Sequence, residues 1–159
     1  MEALTLGYEY PDEIRELFTE YTDMLVANDP AFRGYLDIQH YDDEIRDLRM
    51  KYGLPDGRLY LLRIDGRPAA CIALRKLDDE RCEMKRLYVR PAYRGRGIAT
   101  ALLQRVIGEA RAIGYRRMLL DTLPFLETAI RMYRKAGFYE IPCYNDSPLD
   151  TTVYLALDL

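Results

Sequence analysis

The residues best suited by type and spacing to do chemistry lie between Arg90 and Thr100, where Arg94-Gly95-Arg96-Gly97-Ile98-Ala99-Thr100 separates a strand-like stretch from a long amphipathic one. Such a run can hold an anion. A helix beginning near Gly97 leaves its first backbone N–H groups without partners and places the positive end of its dipole there. Gly95 and Gly97 carry no side chain, so a phosphate can come close to those N–H groups, and Arg90, Arg94 and Arg96 add mobile positive charge. Two familiar phosphate loops fail on spacing: there is no G-x-x-x-x-G-K-S/T, and Thr100 stands where G-x-G-x-x-G needs its third glycine. Acid–base chemistry has fewer candidates. His40 is the only histidine, and Cys71, Cys82 and Cys143 form no C-x-x-C pair, so neither a Cys/His zinc site nor a Ser-His-Asp triad can be assembled. Proton transfer falls to carboxylates and to the 14 tyrosines.

The elements that must position this turn follow from periodicity. Cys82–Val89 reads as a strand that Pro91 ends. Ile98, Leu102, Val106, Ala110 and Ile113 have the spacing of one buried helical face, and Gly114 closes that helix. Arg117–Leu123 is a further, nearly all-apolar strand, so strand, helix and strand imply a right-handed parallel crossover. Upstream, Arg58–Ile64 and Pro68–Arg75 form a hairpin across Asp65-Gly66. Leu4–Tyr10 reads as a first strand. Ile14, Leu17, Phe18, Tyr21, Met24 and Leu25 mark a helix that stops around Asn28-Asp29-Pro30. Ala31–His40 has no clear period and reads as loop, and a second helix, capped by Asp42, runs to Gly53. Downstream, a helix from Pro124 to Ala136 precedes strands at Phe138–Ile141 and Thr152–Leu157, with the irregular Pro142–Asp150 between them. The expected fold is α/β: one domain over residues 1–159, with a mixed central sheet, antiparallel in its first half and parallel around the glycine turn, flanked by helices.

Composition limits the partners. Lys plus Arg is 23 and Asp plus Glu is 26, a net charge of -3, whereas a nucleic-acid binder usually presents a basic domain. The positive charge is local, as one small polyphosphate requires. No apolar run reaches membrane-spanning length and no secretory leader opens the chain, so no membrane partner and a cytoplasmic location are expected, as a monomer or homodimer.

Arg94–Ala99 also fits the pattern Q/R-x-x-G-x-G/A, and with Glu83–Val89 before it and Tyr133-Arg134-Lys135-Ala136-Gly137-Phe138 after it, the chain closely resembles the GNAT superfamily of acyl-coenzyme A-dependent N-acetyltransferases. The likeness runs from about Arg58 to the C-terminus and more weakly through the N-terminal helices. It implies acetyl-coenzyme A as cosubstrate, no metal, and direct attack by an amine in a ternary complex. It places the pyrophosphate on Arg94, Gly95, Arg96, Gly97, Ile98, Ala99 and Thr100, and the pantetheine and thioester carbonyl on the backbone of a bulged strand around Leu87, Tyr88 and Val89. That strand and Arg117–Leu123 should splay to admit the cofactor.

The same match makes Tyr133 the acid that protonates the departing thiolate; periodicity alone, with Ala129 and Ile130, would make it an ordinary core tyrosine. Glu83 is the candidate base, and an ion pair with Lys85 or Arg75 is its alternative role. Strict alternation groups Glu83 with Lys85 and Leu87, unless a bulge intervenes. One departure stands out: many members carry an asparagine where this chain has Leu126, which puts a polar contact in doubt. The acceptor is expected to be a primary amine of a small molecule or peptide, selected by Tyr21, Phe32, Tyr35, Tyr52, Tyr144 and the Pro142–Asp150 segment. Acidic residues from Asp37 to Asp47, with Asp146 and Asp150, favour a cationic acceptor. The competing functions are an acyl-coenzyme A sensor without turnover and a plain interaction module with an incidental glycine turn.

Overall fold

A computed structural model describes residues 1–159. Seven strands, β1 (Glu2–Leu6), β2 (Arg58–Ile64), β3 (Arg67–Lys76), β4 (Arg81–Val89), β5 (Arg117–Thr122), β6 (Tyr139–Glu140) and β7 (Val153–Asp158), form one sheet in the order β1-β2-β3-β4-β5-β7-β6. Every neighbouring pair is antiparallel except β4 and β5. The crossover between those two is α5 (Ile98–Ile113), whose Leu102, Leu103, Val106 and Ile107 pack on Ile72, Leu74, Met84 and Leu120. The other face is covered by α1 (Pro11–Asn28) and by α4 (Leu48–Tyr52), with Ile14, Leu17, Phe18 and Tyr52 against Leu59, Leu61 and Ala73. Between α1 and α4 lie α2 (Phe32–Ile38) and α3 (Tyr41–Arg46); α6 (Glu127–Lys135) follows β5. No helix is long and apolar enough to cross a membrane.

Two irregularities in β4 shape everything that follows. Its parallel ladder with β5 is only three residues long, Arg81↔Arg117, Cys82↔Met118 and Glu83↔Leu119. Beyond it β5 stays paired with β7 through Thr122, so the β5-facing edge of β4 from Met84 to Val89 is left without a strand partner. The second irregularity is a bulge. β3 advances from Cys71 to Ala73 while β4 goes from Tyr88 back to Lys85, which inserts one extra residue, and Arg86 takes a left-handed φ of 59°. Before the bulge Cys82 and Met84 face the α5 core, and Glu83 and Lys85 face the opposite side. After it Leu87 and Val89 pack toward α5, and Tyr88 packs toward α1. Leu87 is thereby separated from Glu83 and Lys85, the pair that strict alternation would have joined to it.

Several boundaries differ from the sequence reading. Ala31–His40 is not loop but largely α2: Phe32, Tyr35 and Leu36 have i, i+3, i+4 spacing and pack with Leu25, Leu123 and Leu149, so tertiary burial makes a helix of a segment too short to announce itself. The second helix breaks at Asp47 into α3 and α4, and Asp42 lies in the first turn of α3 rather than capping it. The first strand stops at Leu6. A β-carbon on Gly7 would come within 2.8 Å of Ile14 and Leu59, so the glycine lets the chain turn tightly over the core there. The helix expected from Pro124 starts at Glu127, because Leu126 (φ −81°, ψ 56°) is not helical.

Candidate active site

The glycine turn is built as its residue types require. Pro91–Tyr93 makes a single short turn after β4, Arg94 is extended, and Gly95 and Gly97 adopt left-handed φ values of 80° and 76°. Nothing lies within 4 Å of where their β-carbons would be, so the backbone is open on that side. No backbone N–H from Gly95 to Thr100 finds an acceptor within the chain, the first helical bond being Ala101 N to Gly97 O at 3.1 Å. These donors stand at the N-terminus of a 16-residue helix, beside a cavity of about 650 Å³. Leu87, Tyr88, Val89, Arg94, Gly95, Gly97, Ile98, Ala99 and Thr100 all line it. Arg96 does not; its guanidinium lies over the Tyr93 ring. Arg94 donates from Nε to the Val89 carbonyl at 2.9 Å. Arg90 is not mobile charge for a phosphate, because Glu16 and Glu20 bind it. Arg86 is buried and bound to Glu44.

Tyr133 joins this cavity to a second space. Together with Leu87 and Leu126 it lines both the 650 Å³ cavity and a narrow neck of about 30 Å³ in the opening between β4 and β5. Its ring packs on Phe138 at 5.8 Å and its hydroxyl makes no hydrogen bond within the chain. Burial, with Tyr21 and Asp121 nearby, pushes its pKa far above the ordinary tyrosine value, so the hydroxyl keeps its proton. Leu126 gives the neck an apolar wall at the position where the resemblance led one to look for a polar side chain.

Beyond the neck lies a third space of about 560 Å³, which shares Tyr35, Gln39 and Lys85 with it. Glu83 lines this outer cavity and not the neck. Its Oε1 accepts from Arg75 Nε at 2.7 Å and its Oε2 from the Tyr144 hydroxyl at 2.5 Å, with Lys85 Nζ at 3.9 Å. Burial favours the neutral acid, but Lys85 and Arg75 outweigh it and hold the carboxyl below its usual range. The other cations are organised by Glu44. It accepts from Arg86 at 2.8 and 3.0 Å and from Lys51 at 2.9 Å, and burial is again outweighed by these charges. Asp121, on β5 at the neck, accepts from the Tyr35 hydroxyl and from Asn145 Nδ2 at 2.7 Å, which fastens the Pro142–Asp150 segment over the site.

Of the aromatics expected to choose the acceptor, Tyr21 and Tyr35 line the neck, as does Phe32, and Tyr144 reaches Glu83. Tyr52 is fully buried in the core under α1 and does not line the site. Asp121 and Gln39 were not singled out; Lys85 entered only as an ion-pair partner of Glu83, and Glu44 and Asn145 only as members of the polar stretches flanking the acceptor side. Asp121 alone had a signal, a single carboxylate inside the otherwise apolar run Met118–Leu123. The others are brought in by α2, by the bulge and by the late loop, which local patterns do not reveal.

The model of the acetyltransferase (GNAT) family matches residues 12–138. The chain is 36% identical over 150 residues to an uncharacterized N-acetyltransferase of Schizosaccharomyces pombe, a match covering 93% of this chain and 88% of that one. A GNAT-family acetyltransferase structure from Staphylococcus aureus superposes with a TM-score of 0.77 at 19% identity, covering 99% of both chains. A GNAT-family acetyltransferase from Elizabethkingia anophelis, solved with acetyl-CoA bound, superposes with a TM-score of 0.56 at 24% identity, covering 65% of this chain and 77% of that one.

Proposed function

The chain belongs to the acetyltransferase (GNAT) family and is an acyltransferase, and from that premise we propose that it moves an acetyl group from acetyl-coenzyme A to a primary amine of a small molecule or peptide, by direct attack in a ternary complex. The observation that carries this reading is the junction at Tyr133, Leu87 and Leu126, whose side chains wall both the cavity of the glycine turn and the neck, while the neck in turn shares Tyr35, Gln39 and Lys85 with the outer cavity. Acetyl-coenzyme A, when bound, supplies an acetyl group activated as a thioester; the bound ligand in the Elizabethkingia relative supports that choice. The residues present fit it. The free N–H groups of Gly95–Thr100, with Arg94 beside them, suit a pyrophosphate, and the unpaired edge of β4 from Leu87 to Val89 suits an amide-bearing arm.

The acceptor enters from the outer cavity. Its nitrogen, once neutral, bonds to the acetyl carbon, the carbon–sulfur bond breaks, the sulfur takes the Tyr133 proton, and the proton that the nitrogen gives up on bonding returns through solvent to the tyrosine. A primary amine with a pKa of about 10.4 is neutral in only about one molecule in a few thousand at pH 7, so an earlier proton, the one the ammonium must lose before attack, is the difficult one. Glu83 is assigned to receive it, through solvent in the outer cavity, at the expense of its bonds to Arg75 and Tyr144. Lys85 and Arg86 assist, since two cations close by disfavour a third positive charge on the arriving nitrogen.

The test has two parts. Acetyl-coenzyme A should raise the melting temperature of the wild type, and Gly97→Asp should abolish the shift by placing a carboxylate on the anion site and a side chain at positive φ. Free-thiol release across a panel of amines then reads turnover. Binding without release from any amine would make the protein a sensor, and no shift at millimolar ligand would end the reading.

A further inference from the structure

The floor of the acceptor cavity holds one more buried cation than its carboxylates can satisfy. Lys51, Arg75, Lys85 and Arg86 face two buried carboxylates, Glu44 and Glu83, and the half-buried Asp121, so four positive charges meet three negative ones. Arg86 and Lys51 share Glu44, and Arg75 holds Glu83. Lys85 is left over. Its side chain is 6% exposed, its Nζ donates to the Gln39 side-chain oxygen at 3.1 Å, and its nearest carboxylate oxygen is 3.9 Å away on a Glu83 already bound by Arg75 and Tyr144. Asp121 faces it from β5 but is engaged by Tyr35 and Asn145. An ammonium has three donors, and this desolvated one uses only one of them within the chain. Lys85 also lines both the neck and the outer cavity, where an acceptor must lie.

We propose that the acceptor carries a carboxylate alongside its amine, and that Lys85 binds that carboxylate. This deepens the transfer reading above and rests on it. A single negative charge matches the single uncompensated ammonium, whereas a phosphate dianion would add excess negative charge beside Glu83 and Asp121. A second cationic group on the acceptor would find Glu44 and Glu83 already occupied, and the one carboxylate of the cavity wall without a partner, Asp146, is exposed at the rim, away from the floor. Asp43 at the cavity wall is bound to Arg46 at 2.8 Å.

Matched acceptors test the inference: L-alanine, L-methionine, L-phenylalanine and L-glutamate against their α-carboxamides, by thiol release from acetyl-coenzyme A. At least one acid should exceed its amide by tenfold or more in kcat/KM. In Lys85→Met, a replacement of similar shape, that preference should fall at least tenfold, chiefly through KM. Dipeptides with free and amidated C-termini then distinguish a free amino acid from a peptide end as the source of the carboxylate. Calorimetric titration with propionate, hexanoate and succinate, in the presence of coenzyme A, reads the same site without turnover; binding to the wild type and its loss in Lys85→Met is the expected result. Turnover of amides and plain amines in preference to acids would leave the transfer reading standing and overturn this inference. Carboxylate binding that depends on Lys85, with no thiol release from any amine, would overturn the transfer reading and uphold only the carboxylate site at Lys85. A preference and carboxylate binding that survive Lys85→Met, or no carboxylate binding at all, would also overturn the inference.

Discussion

Tyr133 and Glu83 stand at opposite ends of the opening between β4 and β5, and their surroundings differ as an acid and a proton acceptor should. Tyr133 has an apolar shell and a hydroxyl with no partner in the chain, while Glu83 has a bond on each oxygen. Tyr133→Phe leaves the packing on Phe138 intact and breaks no intramolecular hydrogen bond. We therefore expect an unchanged melting temperature and unchanged coenzyme A affinity, with kcat lower by about one to two orders of magnitude, the low end for a positioned proton donor because a thiolate is already a good leaving group. A wild-type kcat in this variant would make Tyr133 a core residue, the role its periodicity alone supports. At this scale the sequence was informative about the residue and not about its neighbours. The Tyr-x-x-x-Gly-Phe run picks out Tyr133, but nothing local to Glu83 foretells Tyr144, 61 positions away, on its second oxygen.

Among the elements, the glycine turn and the β3–β4 bulge contrast in how legible they were. The turn is local: the glycines, the preceding proline and the apolar stripe of α5 lie within one stretch and state their own geometry. The family likeness implied the bulge and put it around Leu87–Val89; the structure sets it between Lys85 and Tyr88, with Arg86 taking the unusual backbone. Arg86 pays a left-handed φ, worth about 1–2 kcal/mol, for contacts made from elsewhere. Glu44 holds its guanidinium in two bonds, Gln39 accepts a third at 2.7 Å, the Tyr41 ring lies 5.3 Å below, and Cys71 Sγ donates to its carbonyl at 3.2 Å. The helix α2, unseen in the sequence, leads directly into Gln39. Removing the two partners of the central pair should have unequal effects. Glu44→Ala strands both Arg86 and Lys51 in buried surroundings and should cost about 3–5 kcal/mol. Arg86→Met leaves Glu44 with Lys51 and should cost less. Chemical denaturation of both variants decides this; equal losses would mean that the pair contributes as ordinary packing.

For the whole molecule, the buried charges predict how stability responds to pH. Glu44 and Glu83 are held below the ordinary carboxylate range: burial opposes their charge, but Arg86 and Lys51 in one case, and Lys85 and Arg75 in the other, outweigh it. Their contribution is complete above the unfolded carboxyl pKa of about 4.3 and is lost as pH falls below it toward the folded values. At the alkaline end Lys85 acts with the other sign. Burial and Arg86 bring its pKa down to about 8 against the partial support of Glu83 and Asp121, with Lys51 repelling it from α4. Between about pH 8 and 10.4 the unfolded chain keeps a proton on this side chain that the folded chain has released, so this group makes stability rise with pH. Cys71 and Cys82 mask the rise. Burial lifts both thiols, Cys82 to about 12, so above about pH 8.5 they favour the unfolded chain. The raised hydroxyls of Tyr21 and Tyr133 do the same above about pH 10. The informative quantity is therefore the difference between wild type and Lys85→Met, in which the other groups cancel. The variant should be the more stable at pH 7, and its advantage should shrink steadily by pH 10, as followed by denaturant titration at each pH. A bound carboxylate supplies the missing counter-ion, so hexanoate should stabilise the wild type most below pH 8 and progressively less above it. An advantage of Lys85→Met that stays constant from pH 7 to 10 would mean that Lys85 is no buried ammonium and that the cavity floor holds no spare charge for an acceptor to meet.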